Sequence, residues 1–291
     1  MLDQAHRLRE LIKSKEKASK QLRIIAVSSG KGGVGKTNFS VNLAIILKEL
    51  GKKVLLIDAD FGLANVDVIS GIFPKYNLSH VINKEKKIDE IIFNGPSGIK
   101  IIPGATGLYE MANLSEEELA NLMNAFEAIK YDFDFVIIDT GAGIHKNVVN
   151  LLRSSNEVIV ITTPEPSAIT DAYAVIKLVF KDVKKIYLVV NRVDNYKEAD
   201  LTAGKIANAA KKFLNVDLEY LGYILEDKVV SKANKEQVPF YIKYKDSLSS
   251  KCVLNIGKKL IYEEIDLPKI EPSFATWFEK LISNFIPSGG K

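Results

Sequence analysis

Gly30, Gly35, Lys36 and Thr37, within the stretch SSGKGGVGKTN at 28–38, have the spacing G-x-x-x-x-G-K-[ST]. Glycines at 30, 32, 33 and 35 let backbone N–H groups, with that of Val34, close around an anion, and a helix starting just beyond adds its partial positive charge. Lys36 would reach β- and γ-phosphates, and the Thr37 hydroxyl would ligate Mg²⁺ with Asn38 beside it. Acids stand where apolar runs end: Asp58 and Asp60 after KVLLI, and Asp139 after FVII, followed by TGAG at 140–143. Carboxylates beside a metal-bound nucleotide can hold the metal's water shell or orient an attacking water. Asn191, Arg192 and Asp194 (NRVD) close another apolar run and approximate the guanine-reading pattern N-K-x-D, with arginine in the lysine's place.

Such residues converge only if the apolar runs are strands of one sheet with the ligand at their carboxyl ends. Runs at 22–27, 53–58, 99–103, 135–139, 157–162, 186–191 and 220–225 alternate with helical patterns. That alternation predicts an α/β fold, a doubly wound, mostly parallel sheet flanked by helices. The segment 78–93 reads as charged helix. Ser115 and Glu118 form a capping-box pattern ahead of Leu119, Leu122, Met123, Phe126 and Ile129, whose helical spacing assigns them to the core. One domain spans 22–266, with a basic helix at 1–21 and an amphipathic one at 267–291. In the latter, Phe274, Trp277, Phe278, Leu281, Ile282 and Phe285 share one face, which suits either packing on the domain or lying in a bilayer surface.

The chain has 291 residues, 47% of them hydrophobic, with a net charge of +4, so a large core is available and charge alone does not demand nucleic acid. One cysteine excludes an internal disulfide framework and a cysteine-held iron–sulfur cluster, and three histidines lack metal-ligand spacing. No apolar run reaches the roughly 18 to 20 residues of a membrane span, and the basic start is not followed by a signal-peptide core.

Lys31, placed early in GKGGVGKT, makes the loop resemble the deviant phosphate-binding loop of the MinD/ParA family of P-loop ATPases. The resemblance implies an ATP-dependent homodimer in which Lys31 reaches the partner subunit's nucleotide, and a Mg²⁺-dependent hydrolysis of ATP to ADP and phosphate. It implies roles for Lys31, Lys36 and Asp60 in catalysis, with Asp60 positioning the water, and for Thr37, Asp58 and Asp139 around Mg²⁺. Asn65 and Asp171 would contact across the dimer, Asp171 pairing with Lys31, while Asn191 and Arg192 would line the base and favour adenine over guanine. Asp3, Gln4, Leu8 and Arg9 spell D-Q-A-x-x-L-R with Ala5, similar to the N-terminal segment of the FlhG branch, which regulates flagellar number. In that branch the segment stimulates the signal-recognition-particle-type GTPase FlhF, and the C-terminal helix tethers the dimer to an anionic membrane. The expected location is therefore the cytoplasm and, reversibly, the inner face of the cell membrane, with flagellar C-ring components as further partners and no nucleic acid. The alternatives are a MinD-type division-site regulator and a ParA-type DNA-partitioning ATPase.

Overall fold

A computed structural model describes residues 22–60, 65–71, 74–104, 115–129, 132–262 and 274–285. The strands are β1 (Arg23–Ser28), β2 (Val54–Ala59), β3 (Phe93–Asn94), β4 (Lys100–Ile102), β5 (Phe135–Thr140), β6 (Glu157–Thr162), β7 (Lys185–Val193) and β8 (Glu219–Leu225). The helices are α1 (Lys36–Glu49), α2 (Asn65–Ser70), α3 (Leu78–Ile82), α4 (Ile88–Ile91), α5 (Glu116–Ile129), α6 (Lys146–Ser154), α7 (Pro166–Val179), α8 (Tyr196–Leu214), α9 (Lys228–Lys235), α10 (Phe240–Lys243), α11 (Leu248–Tyr262) and α12 (Phe274–Phe285). Asp3, Gln4, Leu8 and Arg9 lie outside the described residues, as do positions 61–64 of the DADFGLANVD stretch and most of the glycine-rich turn after β4.

The sheet runs β3-β4-β2-β5-β1-β6-β7-β8, and every pairing is parallel except β3 with β4. The expected doubly wound α/β architecture is present. One detail corrects the sequence reading: Phe93 ends no helix but opens the short antiparallel edge strand, because two residues carry no periodicity.

Central strands read as continuous apolar runs because both faces are covered. Alternate β1 residues serve two cores: Ile24 and Ala26 face α5, α6, α7, α8 and α12, whereas Ile25 and Val27 face α1, α10 and α11. The chain leaves β1 through α1 on one face and leaves β5 through α6 on the other. Neighbouring strands whose connections depart to opposite faces leave a crevice at their carboxyl ends, and there an open α/β sheet takes its ligand.

At the opposite end of the sheet, Arg23 is buried, donating to Glu157 through Nε at 2.9 Å and through Nη2 at 2.5 Å. Its Nη1 donates to the Leu260 carbonyl of α11 at 2.7 Å. A buried charge pair holds only with its remaining donors satisfied, and this one stitches the start of β1 to the end of α11.

Helix α12 is docked on the domain. Phe274, Trp277, Phe278, Leu281 and Phe285 are buried and Ile282 is partly buried, against α5 and α6. The Phe126 ring of α5 lies 4.7 Å from that of Phe278 and 5.1 Å from that of Phe274, and Asn284 donates to the Ser154 hydroxyl at 3.0 Å. The residues expected to meet a membrane meet the protein here instead, so any membrane contact requires the helix to leave this groove. Among the described residues no helix is long and apolar enough to cross a membrane.

Candidate functional site

The loop joining β1 to α1 opens the crevice. Gly35 sits at the amino end of α1 with φ +92° and gives no side-chain cap, so the first-turn N–H groups of α1 face outward for an anion. A Cβ at Gly35 would stand 2.4 Å from Asn191 Nδ2, so the position requires glycine for conformation and for space. Two bonds pin the loop to the strand ends: Gly143 N–H donates to the Ser29 carbonyl at 2.8 Å, and Thr140 Oγ1 donates to the Val27 carbonyl at 2.9 Å. The TGAG turn is therefore hydrogen-bonded to the end of β1 and the start of the glycine loop.

Lys36 and Asp139 meet beneath the loop, Nζ to Oδ1 at 3.1 Å, both buried. Ser40 Oγ donates to the same Oδ1 at 2.8 Å, while Asp139 Oδ2 is buried with no partner among the described residues. Asp58, on the adjacent strand in register with Asp139, accepts from the N–H groups of Asp60 at 3.0 Å and Val66 at 3.4 Å. Burial, then the nearby Asp139 charge, pushes its carboxyl up to about 7. Of the two buried carboxylates Asp139 alone pairs with the Lys36 ammonium, Asp58 stands beside it on the next strand, and one Asp139 oxygen is orphaned among the described residues. That arrangement fits a divalent cation, with Thr37, Asp58 and Asp139 as the residues to hold it or its water shell. Asp60 Oδ1 lies 3.5 Å from the Cβ position of Gly141, beside the turn where a terminal phosphate would be approached.

The Asp58 shift carries a stability consequence. The unfolded carboxyl ionises near 3.8 and the folded one near 7, so protons leave the unfolded chain first and stability falls as pH rises between those values. At roughly 1.4 kcal/mol per pH unit the loss approaches about 4 kcal/mol by neutrality. Asp58→Asn is expected to flatten the thermal midpoint of the nucleotide-free protein between about pH 4 and pH 7 and to raise it at the upper end. Parallel falls in variant and wild type would refute the account.

Beside the loop, a pocket of about 250 Å³ is lined by Asn38, Asn191, Arg192, Ile224, Glu226 and Asp227 among others. Asn191 Nδ2 donates to the Val34 carbonyl at 2.7 Å and its Oδ1 accepts from Arg192 N–H at 2.9 Å, so it clamps the glycine loop as well as lining the pocket. Arg192 adopts φ +59° at a register shift between β7 and β8 and pairs with Glu226 at 2.9 Å. Asp227 caps α9 through Val229 N–H and accepts from Ser249. Asp194, the would-be guanine reader, is exposed and not among the lining residues. The amide of Asn191 and the two carboxylates among the described lining residues, Glu226 and Asp227, already have protein partners.

In the single chain Lys31 is anchored at the start of α7, whereas its expected partner Asp171 would be met across a dimer. Its Nζ bonds Glu165 Oε2 at 2.6 Å and Ser167 Oγ at 3.0 Å within the same chain, not Asp171. Glu165 and Ser167 flank Pro166 at the start of α7, in the TPEPSAITD stretch that also supplies Asp171, and only that proximity could have suggested them. The Lys31 attraction holds the Glu165 carboxyl below the usual range. Asp171 contributes backbone instead: the loop approaches so closely that a Cβ on Gly30 would fall 2.3 Å from the Asp171 carbonyl carbon. Asn65 opens α2.

A family described as an AAA domain matches residues 22–192, most of the chain. The sequence is 39% identical to antiactivator FleN of Pseudomonas aeruginosa over 82% of this chain and 86% of that protein. The chain belongs to the MinD/ParA family of P-loop ATPases, in its FleN/YlxH branch. To the flagellum site-determining protein YlxH of Helicobacter pylori the identity is 38%, covering 81% of this chain and 83% of that one. Among solved structures, the septum site-determining protein MinD complexed with Mg-ADP from Pyrococcus horikoshii superposes with a TM-score of 0.66 at 26% identity, over 82% of this chain and 96% of that chain. The branch membership agrees with the early lysine and the doubly wound sheet, and that MinD structure holds a magnesium nucleotide.

Proposed function

We propose that this P-loop ATPase binds and hydrolyses Mg·ATP in the β1/β5 crevice, closes as a homodimer when ATP is bound, and regulates flagellar number or placement. The observation that carries the reading is the glycine loop bearing Lys31 and Lys36 over buried Asp139, whose Oδ2 lacks a partner among the described residues. Bound Mg²⁺ would screen the phosphate charge. Lys36 would move from Asp139 to the β- and γ-phosphates, the N–H groups of Gly30, Gly32, Gly33, Val34 and Gly35 would cradle them, and Asp60 beside Gly141 would orient the water. That Asp194, the acid a guanine reader would need, is not among the described residues lining the pocket supports adenine as the base. The flagellar assignment is supported by the names of the relatives, an antiactivator and a flagellum site-determining protein.

The same reading divides the chain into a GTPase-activating segment at 1–21 carrying Asp3, Gln4, Leu8 and Arg9, an ATPase domain at 22–266, and a tether at 267–291 that binds anionic membrane once released. In it, Lys31 leaves Glu165 and Ser167 to reach the partner subunit's nucleotide, with Asn65 and Asp171 at the same face, and an FlhF-type GTPase and C-ring components are the partners. Size-exclusion chromatography with light scattering tests the dimer: with Mg²⁺ and a non-hydrolysable ATP analogue the wild type should double in mass. Lys31→Ala should bind nucleotide but stay single and lose hydrolysis, whereas Lys36→Ala should lose nucleotide binding itself. A wild type that stays single at saturating analogue would sink the dimer reading.

A further inference from the structure

Ser40 is not part of the glycine-loop motif, yet it is fully buried and makes the shortest contact to Asp139. A serine four residues into a helix ordinarily bonds back to the carbonyl of the preceding turn, and the Lys36 carbonyl does lie 3.1 Å from Ser40 Oγ. The hydroxyl has one proton, however, and a carboxylate oxygen at 2.8 Å takes it in preference to a neutral carbonyl at 3.1 Å. Asp139 Oδ1 then receives two donors, Ser40 and Lys36, while Oδ2 receives none among the described residues. Of those two donors, Lys36 is the one a nucleotide would draw away.

We infer that Ser40 is a positioning residue for the metal site: it holds the Asp139 carboxylate by Oδ1 so that Oδ2 is presented to the water shell of a bound divalent cation, and it does so after Lys36 has left. The inference rests on the reading that Mg·nucleotide occupies this crevice. Partners that orient a metal-site carboxylate commonly account for about 10-fold or more in metal affinity, whereas a serine that merely satisfies its own helix should not affect metal binding.

The test titrates MgCl₂ into full-length protein with a fluorescent ADP analogue and compares nucleotide affinity in EDTA with the Mg²⁺ concentration giving half the metal-dependent change. Ser40→Ala should raise that Mg²⁺ concentration roughly 10-fold and leave the EDTA affinity within about 2-fold. In an Asp139→Asn background the further change to Ser40→Ala should have almost no effect on Mg²⁺, because there is no carboxylate left to orient. An unchanged Mg²⁺ response, equal losses in EDTA and Mg²⁺, or an undiminished effect in the Asp139→Asn background would each overturn the inference. A wild type that binds the analogue with no Mg²⁺ response would remove the Mg·nucleotide reading itself, a result distinguishable from failure of Ser40 alone.

Discussion

Gly30→Ala should lower nucleotide affinity by about 100-fold or more, with hydrolysis falling alongside. The cause is packing, since φ at Gly30 is not in the left-handed region. An added Cβ would meet the Asp171 carbonyl carbon and oxygen at 2.3 Å, and backbone in the middle of the first turns of α7 cannot swing aside as a long side chain would. The glycine loop must therefore move away from α7 by something on the order of 1 Å, a displacement that spoils a cradle of converging N–H groups. Gly32→Ala is the control: nothing lies within 4 Å of its Cβ position, so the loop keeps its place and the loss should be far smaller. Titration of a fluorescent ATP analogue reads both, and a Gly30→Ala protein that binds as tightly as wild type would show that the working loop is not seated on α7.

The second large effect belongs to α12. Phe278→Ala removes a fully buried ring packed at 4.7 Å against Phe126 and at 4.7 Å against Trp277. Such deletions cost about 3 to 5 kcal/mol, which at roughly 2 to 4 °C per kcal/mol is a fall in Tm on the order of 10 °C. Phe126→Ala, on the groove side, should cost a similar amount. The two part company in a vesicle assay. The apolar face that fills the groove is the face a bilayer would take, so docking and membrane binding exclude each other. Trp277 Nε1, buried without a partner among the described residues, weakens the docked state. If α12 is a tether, Phe126→Ala empties the groove wall but leaves the helix face intact, and co-sedimentation with anionic vesicles should rise; Phe278→Glu should abolish it. Phe126→Ala protein that is destabilised but gains no vesicle binding would identify α12 as a core helix only.

Much of this molecule was legible without coordinates because its signals are local. Uninterrupted apolar runs announced strands buried on both faces, and the strand–turn–helix context of Gly30 to Thr37 located the anion loop. Asp139 ending such a run was readable once the loop supplied a reason for it. What was illegible is non-local or has no period. The two residues of β3 are too few to repeat. The partners of Lys31 sit 134 and 136 positions away, and the Asn191 grip on Val34 spans 157. Helical spacing at 274–285 states that one face is apolar, which is equally true of a helix against Phe126 and of one against lipid.

The order of residue types alone therefore determined the strand–helix alternation and the anion chemistry of the β1–α1 turn, since both follow from hydrophobic period and from glycine and lysine at fixed offsets. Tertiary structure decided the rest. Only the adjacency of β2, β5 and α1 sets Asp58, Asp139, Lys36 and Ser40 together in a place too dry for the Asp58 carboxyl to ionise freely, and only the groove between α5 and α6 decides that the aromatic helix is covered. Burial depends on what the chain brings alongside a residue, and that information is held by neighbours a hundred positions away.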